Sequence, residues 1–158
     1  GDVMIQRAPI RSLLEEIAEP HRGLGAEIVI STEGDGALEV RRMPEIVHAL
    51  GGIVENAVGF ARVRVEIEAR WNAESVEITV RDDGPGFAPA ILNRLGEPYL
   101  TQRDREGMAG GLGLGFFISK TLLERTGAKL EVRNRRPPNP GAVVKTVWPR
   151  SSIEAAKL

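Results

Sequence analysis

A carboxylate and an amide stand side by side at Glu55 and Asn56, within a segment whose apolar residues repeat with helical spacing. Gly52 lies four residues before Asn56 and Gly59 three residues after it, so both share its stripe on the predicted helix. Each glycine costs roughly 1 kcal/mol relative to alanine in a helix interior. The glycines therefore serve either close helix packing or the approach of a ligand. In the second case the two oxygen donors suit Mg²⁺, which takes few protein ligands together with phosphate and water.

A second candidate is the segment DDGPGF, residues 82–87, which follows a strand-like alternation of apolar and polar residues. Gly84 and Gly86 allow the chain to turn with positive φ angles. Such a turn is common in loops of every function. A carboxylate at Asp82, beside this glycine loop, is able to accept a hydrogen bond from an exocyclic amine such as that of adenine.

A third candidate is the glycine-rich segment GGLGLG, residues 110–115. It departs from the dinucleotide fingerprint, because no strand precedes it and Phe116 stands where the third glycine belongs. No P-loop pattern is present either. The segment predicts glycines at a helix N-terminus, where free N–H groups favour anions, unless they serve only close packing.

The elements that position these residues follow from periodicity and turn signals. Proline opens two amphipathic helices, a short helix follows the DDGPGF loop, and a fourth helix starts at the glycine-rich segment. Predicted helices are 9–19, 44–61, about 88–95 and from 112 onwards; predicted strands are 26–31 and 38–41 around the turn EGDG, 63–70, 75–81, 129–133 and 142–148. The pattern favours one α/β domain over residues 1–158, with an antiparallel or mixed sheet covered by helices on one face and a frayed tail over 150–158.

Composition excludes several classes of function. The formal net charge of −1 argues against general nucleic-acid affinity, so no nucleic-acid partner and no direct membrane contact are expected. The absence of cysteine excludes thiolate chemistry, and two histidines distant in sequence disfavour a multi-histidine metal site. No apolar run approaches the roughly 20 residues that span a bilayer. Because the chain does not begin with Met, it is expected to be a piece of a longer protein.

Taken together, the motifs resemble the ATP-binding catalytic domain of bacterial sensor histidine kinases, which has the Bergerat fold. ENAVGF resembles the N box, DDGPGF the G1 box, EPYLTQR the F box of the ATP lid, and GGLGLGFFISK the G2 box. The four boxes occur in the family's order, and the resemblance covers about residues 10–149. The run GLGFFISKTLLERTGA is further similar to the redox-responsive Reg/Prr kinases of photosynthetic proteobacteria.

The resemblance implies a two-layer α/β sandwich, with a mixed, mostly antiparallel sheet and three main helices on one face. It implies that Asn56 binds Mg²⁺, that Glu55 orients a metal-bound water or assists deprotonation of the acceptor, and that Asp82 reads adenine. The implied ATP-binding residues are Asn56, Phe60, Asp82, Gly84, Gly86, Tyr99, Arg103, Gly111, Leu112, Gly113, Leu114 and Gly115.

The chain also departs from the family's pattern. Gly59 stands where many members have a basic residue that contacts phosphate, and Gly52 stands where many have asparagine. Tyr99 replaces the usual phenylalanine of the lid. Arg103 in the lid is the residue expected to compensate for the missing cation.

The implied activity is transfer of the ATP γ-phosphoryl group to a histidine on a separate dimerisation domain. His21 and His48 do not fit the acceptor pattern, so that domain is expected elsewhere in the parent protein, with a response regulator as the indirect partner. The implied setting is a cytoplasmic domain of an inner-membrane sensor. The alternatives are a serine kinase of the anti-sigma-factor type and a nucleotide-binding module without transfer activity; a gyrase- or Hsp90-like ATPase fits less well.

Overall fold

The computed structural model describes residues 6–94 and 112–157. In chain order the elements are β1 (Arg7–Pro9), α1 (Ile10–Ala18), a 3₁₀ turn (Glu19–His21), β2 (Glu27–Gly34), β3 (Glu39–Arg41), α2 (Pro44–Phe60), β4 (Arg64–Trp71), β5 (Ser75–Asp82), α3 (Pro89–Leu92), α4 (Leu112–Arg125), β6 (Lys129–Asn134), β7 (Ala142–Pro149) and α5 (Arg150–Ile153). The predicted helices and strands therefore all occur, with shifts of a few residues at their ends.

Five strands form the main sheet, in the order β2-β4-β5-β7-β6. β2 and β4 are parallel, with Ile28 opposite Val65, and the other three neighbouring pairs are antiparallel. This confirms a mixed, mostly antiparallel sheet. Although β2 and β3 flank the turn EGDG, they do not pair with each other. Instead β3 pairs with β1 in a separate two-stranded sheet.

One face of the sheet carries the core and the three main helices α1, α2 and α4. Alternate strand residues such as Ile67 and Ile78 are buried against apolar helix residues such as Leu14, Leu50 and Leu123. This pattern confirms the expected layer of helices on one face. None of the helices in the described part of the chain is long and apolar enough to span a bilayer.

The opposite face of the sheet is polar and is crossed by ion pairs between neighbouring strands. Arg64 and Arg70 of β4 pair with Glu27 and Glu33 of β2, at 3.7 and 3.6 Å. Further along, Arg81 pairs with Glu68, and Lys145 with Glu77. The alternation of buried apolar and exposed charged residues therefore sets which face of each strand meets the helices.

The expectation of a frayed tail after residue 149 is wrong. Residues 150–153 form α5, and Ile153 is fully buried in the core. The amide of Ala155 donates to the carbonyl of Glu39 at 2.9 Å, and Glu154 forms a β-bridge with Val40. Apolar residues in the segment bury against the small β1–β3 sheet, so burial rather than helix length orders it.

Candidate functional site

Asp82, the last residue of β5, places a carboxylate in the interior of the fold, with 5% of its surface exposed. Its Oδ1 accepts hydrogen bonds from the amides of Gly84 at 2.8 Å and Ala142 at 3.3 Å. Burial raises the pKa of this carboxyl above its ordinary value, although the two amides act in the opposite direction. Since both bonds end on Oδ1, Oδ2 is the oxygen that a ligand would meet.

Glycines let the backbone close around Asp82. A side chain at Gly84 would overlap the carbonyl of Phe60, and one at Gly141, where φ is +124°, would overlap the carbonyl of Asp82. Gly86 has the positive φ expected of the turn, at +77°. Gly84 does not use this freedom, because its φ is not in the left-handed region. Close approach to α2, and not turn geometry, requires glycine at position 84.

A pocket opens beside Asp82, between α2 and the sheet. Asn56 and Asp82 are the two polar residues of its lining, and the remaining walls are aliphatic or aromatic. The full lining consists of Ile53, Asn56, Ala57, Phe60, Val80, Asp82, Phe87, Phe116, Ala142 and Val144. Apolar walls with one buried carboxylate suit a flat heterocycle that carries an amine, as adenine does.

Two aromatic rings border this pocket. Phe60, at the end of α2, and Phe87, in the loop after β5, meet edge to face with centroids 6.4 Å apart and planes at 71°. Phe60 was a predicted site residue, whereas Phe87 was noted only as part of the DDGPGF segment. The structure therefore adds Phe87 to the candidate site, together with Phe116, Ala142 and Val144.

Asn134 holds the loop that carries Phe87. Its Oδ1 accepts from the amide of Phe87 and its Nδ2 donates to the carbonyl of Phe87, both at 2.8 Å. The two residues are 47 positions apart, and Asn134 lies in a stretch that reads only as a turn between strands. No local pattern marks this residue, because Phe87 follows β5 and comes near Asn134 only through the pairing of β7 with both β5 and β6.

The two predicted catalytic residues, Glu55 and Asn56, differ in their exposure to solvent. Asn56 is half-buried and lines the pocket, one helical turn before Phe60. Glu55 is exposed and does not line the pocket. Gly52 faces Ser119 of α4, and a Cβ at position 52 would lie 3.2 Å from the Ser119 Oγ. A Cβ at position 59 would meet open space. Gly52 thus fits the packing interpretation, and Gly59 leaves room next to Asn56.

The glycine-rich helix start is described only in part. α4 begins at Leu112, as expected from the position of the glycines. Leu114 is 45% exposed, and a side chain at Gly115 would meet nothing within 4 Å. Tyr99, Arg103 and Gly111 lie outside the described residues. The phosphate-binding role of Leu112, Gly113, Leu114 and Gly115 stays a prediction.

The amide oxygen of Asn56 suits a metal ion that takes its other ligands from a bound substrate and water. Within residues 6–94 and 112–157, no cluster of three or more His, Cys, Asp or Glu side chains is placed to hold a metal ion. A cation beside Asn56 would take further oxygen ligands from phosphate and water, as Mg²⁺ does.

Comparison with known protein families decides the family. The family model described as "Histidine kinase-, DNA gyrase B-, and HSP90-like ATPase" matches residues 42–152, from the start of α2 to α5. The chain belongs to this family. The matched range contains Asn56 and Asp82, and membership implies that this ATPase-type domain uses ATP.

Within this ATPase family, similar proteins are sensor histidine kinases. The chain is 39% identical to sensor histidine kinase RegB of Cereibacter sphaeroides, over 94% of this chain and 36% of RegB. It is 35% identical to sensor histidine kinase CpxA of Escherichia coli, over 49% of this chain and 17% of CpxA. The chain thus spans about a third of the length of RegB, and it is homologous to the kinase domain of two-component sensors. The RegB match agrees with the finer resemblance to Reg-type kinases.

Solved structures show the same fold. The mycobacterial sensor histidine kinase MprB matches with a TM-score of 0.72 at 20% identity, over 92% of this chain and 97% of that chain. The catalytic domain of histidine kinase ThkA matches with a TM-score of 0.70, also at 20% identity. These matches confirm the predicted α/β sandwich, and the named relatives favour the histidine-kinase interpretation over the serine-kinase alternative.

Proposed function

We propose that this chain is the ATP-binding catalytic domain of a two-component sensor kinase and passes the γ-phosphoryl group of ATP to a histidine on a separate domain. The observation that carries the proposal is the buried carboxylate of Asp82, which lines one apolar pocket together with Asn56. Membership of the ATPase family and the similarity to sensor histidine kinases support it.

In this proposal the pocket holds the adenine ring. Oδ2 of Asp82 accepts a hydrogen bond from the exocyclic amine, while hydrogen bonds from the amides of Gly84 and Ala142 hold Oδ1 in place. Phe60 and Phe87 border the ring, and Asn134 fixes Phe87 through its backbone. Each of these residues acts on binding, because it positions the nucleotide without touching the transferred group.

The phosphates are proposed to lie between Asn56 and the start of α4. The Asn56 side chain would hold Mg²⁺, which neutralises phosphate charge during transfer. The N-terminus of α4, from Leu112, would favour the negative charge of the phosphates through its free amides. Glu55 is exposed next to Asn56, a position from which it can reach an incoming acceptor. Arg103 and Tyr99 are proposed to contact the nucleotide from the lid.

The acceptor is proposed to be a dimerisation domain of the same parent protein, with a response regulator downstream. Leu114 and Ile118 support a protein partner, because both are 45% exposed although they are large and apolar. They lie four residues apart and so project from one side of α4. The parent protein is proposed to be an inner-membrane sensor with this domain in the cytoplasm.

The test is phosphotransfer from radiolabelled ATP to the separately prepared acceptor domain of the parent protein. The wild-type chain with Mg²⁺ is expected to label the acceptor, and the label is expected to be lost in acid, as phosphohistidine is. Asn56→Ala is expected to abolish labelling, whereas Glu45→Ala, in the first turn of the same helix, is expected to leave it intact. An acid-stable label would contradict histidine as the acceptor, and full labelling by Asn56→Ala would remove that residue from the site.

A further inference from the structure

Four arginines surround a hollow on the open face of the sheet, which is the face without helices. Arg81 of β5 and Arg133 of β6 lie on either side of Val143 of β7, and all three are in register. Arg135 and Arg136 follow in the loop after β6. The hollow has a volume of about 190 Å³, and Asn139 and Val143 complete its lining. We call these four residues the arginine cluster.

The cluster shields an apolar residue from solvent. Val143 points to the open face of the sheet, yet only 1% of its surface is exposed. Its neighbours in the hollow are the arginine side chains, whose aliphatic stems cover apolar surface while their guanidinium groups stay in water. The side chains of the cluster therefore cover Val143.

Most of this charge is not neutralised within the described part of the chain. Arg81 pairs with Glu68 at 3.5 Å. Arg133, Arg135 and Arg136 form no salt bridge with any described residue, although the Arg135 guanidinium is close enough to Asp82 to act on the pKa of that carboxyl in the lowering direction. This differs from the β2–β4 edge of the same face, where Arg64 and Arg70 are both paired with glutamates. A local excess of positive charge therefore stands on a chain whose formal net charge is −1.

Acidic side chains also lie close to the cluster. Glu66 is opposite Arg81 in the register of β4 and β5, and Glu68 is its ion-pair partner. Glu131 precedes Arg133 by two positions on the same side of β6, so it borders the cluster along the edge strand. These acids flank the β4 side and one end of the cluster. The positive charge is concentrated toward the loop at 135–141.

The loop does not form a preorganised site for one small anion. The amide of Arg135 donates a hydrogen bond to the carbonyl of Gly141 at 2.8 Å, and the amide of Asn139 donates one to the carbonyl of Arg136 at 3.1 Å. Arg133 and Arg136 are exposed, so a single phosphate would have to order long side chains without help from these amides. Several carboxylates carried by one chain would instead meet guanidinium groups spread over two strands and a loop.

We propose that the arginine cluster is a docking surface for an acidic segment of a partner protein. Guanidinium groups bind carboxylates through paired hydrogen bonds, and arginine is enriched at protein interfaces. The partner's side chains would also cover the apolar stems over Val143. Arg81, Arg133 and Val143 lie on the opposite face of the sheet from the pocket at Asp82, whereas Arg135 acts electrostatically on that carboxyl. A partner bound on the open face therefore leaves the pocket accessible to nucleotide. The proposal is independent of the proposed kinase activity.

The test measures binding of a short fluorescein-labelled peptide of alternating glutamate and alanine by fluorescence anisotropy, at low ionic strength. The double variant Arg133→Gln/Arg136→Gln is expected to weaken binding about tenfold, because each exposed charge pair contributes modestly. Arg64→Gln/Arg70→Gln removes the same charge from the same face and is the matched control, expected to leave affinity unchanged. A peptide with glutamine in place of glutamate is expected not to bind.

Three results would overturn the proposal. The first is the absence of peptide binding to the wild-type chain. The second is equal weakening by the two double variants, which would show a general effect of charge. The third is displacement of the peptide by inorganic pyrophosphate at a concentration equal to that of the peptide, which would show a site for a small anion. ATP affinity, measured in parallel, is expected to be the same in all the variants.

Discussion

Replacement of Asp82 by asparagine is expected to weaken nucleotide binding without weakening the fold. Asparagine keeps the size of the side chain, and its Oδ1 can still accept from the amides of Gly84 and Ala142. In the proposed site, the amide nitrogen then takes the place of Oδ2 and points a donor at the adenine amine, which is also a donor. The variant is therefore expected to fold and to bind ATP weakly.

The size of the affinity loss follows from the hydrogen bond that is removed. A hydrogen bond to a charged group contributes about 1.5–3 kcal/mol, which corresponds to roughly ten- to a hundredfold in the dissociation constant. Isothermal titration calorimetry with ATP, on wild-type and Asp82→Asn protein, measures this loss directly. Wild-type affinity is also expected to fall in acid, since protonation of the carboxyl removes its acceptor character.

Although Asp82→Asn is expected to lose ATP affinity, it is not expected to lose stability of the fold. The pKa of Asp82 is raised in the folded protein, with burial as the main cause, so the folded chain binds the proton more tightly than the unfolded chain. The buried charge therefore costs stability above the folded pKa, and this cost disappears as the pH falls through that value toward the ordinary 3.8. Asp82→Asn is expected to match or exceed the wild-type melting temperature at neutral pH, with the difference vanishing in acid.

Asp83→Asn is the matched control, one residue further along. The Asp83 carboxylate accepts from the amides of Arg62 at 2.7 Å and Val63 at 3.2 Å, away from the pocket. Desolvation alone would raise its pKa, but the backbone amides of residues 62–64 outweigh this and lower it. Its contribution to stability is therefore present at neutral pH and lost as the pH falls through the lowered pKa. Asp83→Asn should lose stability and keep ATP affinity.

Two results would refute the reasoning about Asp82. ATP affinity of Asp82→Asn equal to that of the wild-type chain would remove this carboxylate from the nucleotide site. A large loss of stability in the same variant at neutral pH would show that the charge itself holds the fold together. Thermal unfolding followed by circular dichroism at several pH values distinguishes these two results.

Two further substitutions test the packing around the site and at the C-terminus. Gly84→Ala is expected to lower the free energy of unfolding by about 1–3 kcal/mol and to weaken ATP binding, because its Cβ would overlap the Phe60 carbonyl. Denaturant unfolding measures this loss, and unchanged stability would contradict the close approach of the two segments. Ile153→Ala is expected to cost about 2–5 kcal/mol, because the side chain is fully buried; a frayed tail would instead leave the unfolding midpoint unchanged.

The helices, most of the strands and the order of the motifs were determined by the sequence alone. Apolar spacing near 3.6 marks α1 and α2, and alternation marks β4 and β5. These signals are local, since each depends on residues a few positions apart. Asn56, Phe60 and Asp82 are predicted as site residues through the resemblance of two short, contiguous motifs to boxes of the histidine-kinase family. The structure shows that these three line one pocket.

Only the tertiary structure decided which distant segments meet. β2 pairs in parallel with β4 and not with its sequence neighbour β3, and residues 150–155 pack on the β1–β3 sheet although they read as a tail. The clamp of Asn134 on Phe87 joins residues 47 positions apart. The arginine cluster likewise depends on β5, β7 and β6 lying side by side. Local periodicity specifies the face that a strand buries, but its neighbours are selected by burial across the whole sheet, which no short stretch of sequence contains.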